Sequence, residues 1–155
     1  MTDLDDLLIP EAVLSGTSAS SKKKLFTLLG EVAARAYSLD AAQVTERLSE
    51  REKLGSTGFG GGIAIPHGKI AGVTGVLGVF VRLDKPIDFA AVDDLPVDLV
   101  FALLSPPDGG ADHLKALARV SRRLRDRTFT AKLRGAGSSD ALYALLTGID
   151  ARDAA

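Results

Sequence analysis

The chain has 155 residues, a formal charge of −1, 46% hydrophobic and 25% charged residues, and no cysteine. This is the composition of a globular domain, and it excludes disulfides, thiolate zinc sites, iron–sulfur ligation and a cysteine nucleophile. A chain of this size buries roughly 70% of the surface its unfolded form exposes, so one domain over residues 1–155 is expected to hold a core without staples.

Met1 to Leu8 carries three aspartates and no basic residue, which is not the pattern of a secretory signal. A cytoplasmic protein with flexible ends, about 1–8 and 148–155, is therefore expected. From Ser21 to Tyr37, Leu25, Leu28, Leu29, Val32, Ala33 and Ala36 recur at helical spacing, with Ser20 or Ser21 as N-cap. A more polar helix follows from the cap Asp40 through Val44 and Leu48 to about Lys53, where Gly55 ends it. Gly55 to Gly62 then holds five glycines in eight residues, followed by a short apolar segment, Ile63 to Pro66, that runs into His67 and Gly68.

Val76–Leu83 and Val97–Leu104 read as central strands covered on both faces. Between them Asp84–Pro96 is rich in turn residues, with Pro86 and Pro96 opposed to regular pairing except at an edge. After the Ser105-Pro106-Pro107-Asp108-Gly109-Gly110 break, Leu114, Leu117, Ala118, Ser121 and Leu124 mark a third helix with Asp112 as a cap. A short helix over about 128–133 and a last one capped by Ser139, carrying Leu142, Leu145 and Leu146, complete the chain. Helices on both sides of the strands predict a layered α/β (α+β) fold with a mixed β-sheet flanked by helices. The longest nearly apolar run, Ala71–Val81, contains three glycines and a threonine and stops at Arg82, well short of the ~20 apolar residues of a membrane span.

The glycine-rich loop carries no nucleotide motif. A P-loop ending at Gly68-Lys69 would need glycine at Ile63 and Ser or Thr at Ile70, and the dinucleotide fingerprint from Gly58 would also need glycine at Ile63. The two histidines, His67 and His113, are far apart in sequence, so no local zinc motif exists and no metal or other cofactor is expected. What remains is Gly62-Ile63-Ala64-Ile65-Pro66-His67-Gly68-Lys69. Pro66 fixes its own φ and drives Ile65 extended, and Gly68 permits close approach of a backbone. His67 is then either a turn or satisfied core histidine, or an imidazole presented at a sheet rim as a nucleophile near pH 7. In the second case amides of Ser56, Thr57 and the following glycines would form an anion nest and Lys69 would supply positive field; as the alternative, the glycines form only a flexible loop.

His113 begins the helix after a central strand, where open α/β sheets assemble sites, although such a residue also serves simply at a surface or cap. Arg51 would clamp an anion with its planar fork, while its neighbours Glu46, Arg47, Glu50 and Glu52 suggest a solvated charge run. The five arginines of Arg119–Arg127 form a basic patch, but aromatics are only 5% of the chain and no nucleic-acid module accompanies them, so a solvated face or a contact for an acidic protein is expected rather than nucleic acid.

The segments Arg51-Glu52-Lys53, Gly55-Ser56-Thr57-Gly58, Gly62 to Lys69, Leu103-Leu104-Ser105-Pro106 and His113 to Ala118 together resemble the fructose/mannitol-type IIA domains of the bacterial phosphotransferase system, most of all the nitrogen-regulatory branch. The resemblance spans the chain from its first helix to its last. It implies a single layered α/β domain that accepts a phosphoryl group from a phosphohistidine on an HPr-like protein, hence a phosphotransferase. It places the acceptor on His67 through Nε2, the active-site arginine on Arg51 and the second histidine on His113, with Ser56 and Thr57 as weaker phosphate contacts beside the positive field already expected of Lys69. Two roles follow from it: a regulator whose partner binding (transporters or sensor kinases) depends on phosphorylation, or a sugar-specific component that hands the group to a IIB domain. A metal-dependent hydrolase or binding module using His67, His113 and Asp112 is the alternative from another class.

Overall fold

Leu4, Leu7 and Leu8 are buried against one face of the sheet, and the Leu4 amide donates to the Leu146 carbonyl at 3.1 Å. The computed structural model describes residues 4–148, and the expectation of a flexible segment 1–8 is corrected from Leu4 onward: removing these leucines from water outweighs the freedom of an end. The expected flexible segment 148–155 lies outside the described residues except for Gly148, the left-handed C-cap of the last helix.

After a 3-10 turn, Pro10–Ala12, the elements are β1 (Val13–Thr17), α1 (Lys22–Tyr37), α2 (Ala41–Lys53), β2 (Gly58–Gly60), β3 (Ile63–Ala64), β4 (His67–Lys69), β5 (Leu77–Ile87), β6 (Val97–Ser105), α3 (Gly110–Leu124), α4 (Arg127–Gly135) and α5 (Ser139–Thr147). Ser21 and Asp40 cap α1 and α2 as expected, accepting from the amides of Lys24 and Gln43. Two caps are corrected. Gly109, not Asp112, precedes α3, so Asp112 sits in its first turn. Ser138, not Ser139, accepts from the Ala141 amide at the start of α5, because the Ser139 hydroxyl is drawn to the amide of Ser15 in β1 at 2.9 Å.

The sheet is mixed, in the order β1-β5-β6-β3-β2, with β4 also paired to β6. β5 and β6 are the central antiparallel pair, as their apolar runs predicted. β5 continues to Ile87, beyond the expected end at Leu83; the ladder is irregular between Arg82 and Ile87, so no regular pairing is asked of Pro86. Alternation along β6 sends Val100, Ala102 and Leu104 into a core under α1 and α2, and Leu99, Phe101 and Leu103 into a second core under α3, α4 and α5. The result is a three-layer domain with β6 buried on both faces.

β3 and β4 lie along the same edge of β6, both parallel to it, and keep one register: Ile63 is opposite Leu99, and His67 is opposite Leu103. They are one strand interrupted at Ile65-Pro66. Pro66 has no N–H for the ladder, yet its carbonyl still accepts from the Leu103 amide at 2.9 Å, so the interruption does not shift the register.

Candidate functional site

Strand alternation decides which way the histidine turns. Ile63 and Ile65 enter the core beneath α3–α5, so His67 and Lys69 fall on that same face of the sheet, while Gly68 turns to the opposite face. There a Cβ on Gly68 would lie 3.4 Å from the Arg47 carbonyl group of α2. The close approach allowed by Gly68 is therefore made by the chain's own helix, not by a second molecule.

On the α3 side the imidazoles of His67 and His113 meet, with ring centroids 5.3 Å apart and an interplanar angle of 50°. His67 Nδ1 is 2.8 Å from the Ile65 carbonyl oxygen. A carbonyl only accepts, so in the neutral ring Nδ1 carries the proton and Nε2 carries the free lone pair. His113, only 8% exposed, places Nδ1 against the hydroxyl of the fully buried Ser105 at the end of β6. Burial pushes the His67 imidazole below the ordinary histidine value and the Arg51 charge pushes it further, against the opposing pull of the Ile65 hydrogen bond and the Glu52 carboxylate. Burial likewise lowers His113, assisted by the charges of His67, Lys69 and Arg51. Both rings are thus held neutral near pH 7, which is the state a nitrogen nucleophile requires.

Arg51 is half-buried at the end of α2, its Nη1 donating to the Gly55 carbonyl at 3.1 Å, and its charge reaches both histidines. It is therefore not merely one charge of a solvated run. Lys69 is exposed, and with Arg47, Arg51 and Pro107 it borders an open cleft of about 410 Å³ beside Gly68. Leu54 and Leu114, at 83% and 65% exposure, stand bare on α2's C-cap and α3's first turns.

Two of the expected phosphate contacts, Thr57 and Ser56, are engaged within the chain itself. The Thr57 amide and hydroxyl both donate to Glu52, at 2.9 and 2.6 Å. Ser56 Oγ accepts from the Gly58 amide and donates to the Phe89 carbonyl, and the Gly61 amide donates to Asp93. The amides of Thr57, Gly58 and Gly61, expected in an anion nest, are thus taken up by acceptors of the chain itself. Gly60, Gly61 and Gly62 all have positive φ (113°, 68° and 82°) and make a defined left-handed turn between β2 and β3 rather than a flexible stretch.

Sequence reasoning missed Glu52. It is buried, receives both Thr57 bonds and pairs with Lys22 Nζ at 2.7 Å, tying α1, α2 and the loop together next to Arg51. The signal was present, since Val44, Leu48 and Glu52 recur every fourth residue on the buried stripe of α2. Ser105 and the Ile65 carbonyl were also missed, and neither carries a local signal. Among the described residues no group of three or more His, Asp or Glu is placed to hold a metal, and Asp112 is exposed on the first turn of α3. No helix among them is long and apolar enough to cross a membrane.

Residues 6–148 match the family model described as "Phosphoenolpyruvate-dependent sugar phosphotransferase system, EIIA 2". The chain is 48% identical over 143 residues to a nitrogen regulatory protein of Bradyrhizobium diazoefficiens, covering 92% of this chain and 94% of that protein. Its fold is similar to the crystal structure of nitrogen regulatory protein IIA-Ntr from Neisseria meningitidis, with a TM-score of 0.85, 39% identity and coverage of 93% and 99% of the two chains. It is also similar to the mannitol IIA of Escherichia coli, with a TM-score of 0.74, 25% identity and coverage of 90% and 98%.

Proposed function

Because the chain belongs to the phosphotransferase-system EIIA 2 family, we propose that it is a phosphocarrier of the nitrogen-regulatory kind, which takes a phosphoryl group on His67 Nε2 from the phosphohistidine of an HPr-like protein. The observation that carries this reading is the 2.8 Å contact of His67 Nδ1 with the Ile65 carbonyl. It fixes the tautomer that leaves Nε2 as the nucleophile, on the side of the ring away from that carbonyl.

In the transfer, the lone pair of His67 Nε2 forms the new N–P bond as the donor's N–P bond breaks, its electron pair remaining on the donor imidazole. Positive charge grows on the His67 ring, and the Ile65 carbonyl dipole stabilises it. Negative charge spread over the phosphoryl oxygens is met by Arg51 and Lys69, and His113 donates to one of those oxygens from Nε2. Such catalysis is placement and electrostatics, with little covalent work for the protein beyond the nucleophile. The product adds roughly −1.5 to −2 charges beside the cationic Arg51 and Lys69. That reversal of local charge is the means by which regulatory partners distinguish the two states. The greater identity to nitrogen regulatory proteins than to mannitol IIA favours this role over sugar uptake through a IIB domain.

The experiment is incubation with a phosphorylated HPr-like donor followed by intact and peptide mass spectrometry. One acid-labile phosphoryl group mapping to His67, absent from His67→Ala, is the expected result. No transfer from a donor active on a control IIA overturns the reading, and efficient onward transfer to a IIB domain reassigns the role to sugar transport.

A further inference from the structure

The structure sorts the arginines of the basic run. Arg119 closes on the Asp6 carboxylate through bonds of 2.8 and 2.7 Å, and the Arg123 guanidinium lies 3.6 Å from the Phe129 ring centroid. Arg134, from α4, grips Asp98 and the Gly61 carbonyl. Arg125 and Arg127 pair with no carboxylate among the described residues. Both border a groove of about 830 Å³ between the β2–β3 turn and the α3–α4 corner.

Phe59, partly exposed, and Leu95, 54% exposed, present apolar surface at this groove, above the buried Ile63 and Leu124. The Arg125 guanidinium is 5.5 Å from the Phe59 ring centroid, so cation and aromatic face are presented together. Of the nearby carboxylates only Asp93 borders the groove, and none is ion-paired to Arg125 or Arg127. Asp98 is held by Arg134, Asp126 caps α4 by accepting from Thr128 and Phe129, and Asp93 accepts from the amides of Gly61 and Leu95. Two guanidinium forks without an ion-pair partner, beside the exposed Leu95 and the Phe59 ring, fit an occupant that brings carboxylates and an apolar side chain in one segment. The chain satisfies the neighbouring part of α3 in that way itself: Asp6 meets Arg119 while Leu4, Leu7 and Leu8 enter the core below.

We propose that this groove is a docking site for an acidic, apolar-bearing segment of a protein partner, separate from the His67 site. Ile63, on its wall, pairs with Leu99, whereas His67 pairs with Leu103, four positions further along β6. That is about 13 Å of strand, at ~3.3 Å per residue. The groove and the His67–His113 pair are therefore distinct stretches of the same sheet edge. The assignment goes beyond the phosphocarrier reading and does not depend on it.

The test is a 1H–15N NMR titration of the full chain with a short synthetic peptide alternating Glu or Asp with Leu or Phe. The comparison probes are the same peptide with Lys in place of its acids, a single-stranded oligonucleotide, and inorganic phosphate. Expected are saturable shifts at the amides of Phe59, Gly60, Gly61 and Thr130 with the acidic peptide. Two lost charge pairs predict about tenfold weaker binding in the Arg125→Gln/Arg127→Gln variant, whose circular dichroism and thermal midpoint stay at wild-type values; Arg125→Glu alone serves if the double variant unfolds. Absence of saturable shifts, equal shifts with the Lys peptide, or shifts centred on His67 and Lys69 would overturn the proposal. So would tighter binding of the oligonucleotide than of the acidic peptide, which marks a nucleic-acid surface, or the same shifts from phosphate alone, which marks a small-anion site.

Discussion

Ser105 holds His113 from inside the sheet: its fully buried hydroxyl lies 2.5 Å from His113 Nδ1, at the point where β6 ends and before α3 begins. When that hydroxyl donates, His113 carries its proton on Nε2, the atom able to reach a phosphoryl oxygen. We expect the 15N shifts of wild-type His113 to report the Nε2–H tautomer. We expect Ser105→Ala to shift it and to slow transfer about fivefold, the worth of one ordinary hydrogen bond. An Nδ1–H tautomer in the wild type would remove Ser105 from this role.

His113→Ala takes away the donor itself. Loss of one preorganised donor to a developing charge costs about a hundredfold or more in rate, so stopped transfer reactions read over time should show slow labelling of His67 rather than none. An unchanged rate would show that His113 only packs against His67.

Acid should silence the acceptor by protonating His67 Nε2. Because burial, then Arg51, hold His67 below the ordinary value near 6.5, the imidazole stays competent down through that pH and loses its lone pair only below it. Stability follows the same sign. The unfolded histidine binds a proton before the folded one, so the folded state loses stability as pH falls from about 6.5 through the folded value. NMR titration of the His67 C2 proton checks the order, and Arg51→Gln, by removing one lowering charge, should move its midpoint upward.

Glu52→Ala would strand Lys22 and leave the Thr57 amide and hydroxyl without their acceptor. Lys22 is partly exposed and regains water, so a loss of about 2–3 kcal/mol is expected in urea denaturation. A value near zero would mean the clasp adds nothing to the fold.

Leu54→Glu and Leu114→Glu change only exposed side chains beside the site. If these leucines contact the protein donor, transfer from that donor falls while labelling of His67 by phosphoramidate, a small donor that needs no docking face, stays at the wild-type rate. Equal loss with both donors would instead indicate damage to the site.

The amphipathic helix over Ser21–Tyr37, the caps Ser21 and Asp40, the central strands and the Ile-Pro-His-Gly segment were legible because each is written over neighbouring residues: a helical period, a side chain reaching the amide three residues on, an unbroken apolar run, a proline fixing φ. The meeting of His67 with His113 was not. Nothing local states that β4 takes up the β3 register on β6 after Pro66, nor that α3 returns over that face, since both are set by long-range pairing and by which side of the sheet needs covering. Glu52 marks the boundary between the two kinds of information. Its place on the buried stripe of α2 could be counted from the sequence, but its being satisfied there rests on Lys22 of α1 and Thr57 of the loop. A buried charge is tolerable only when tertiary structure supplies its partners.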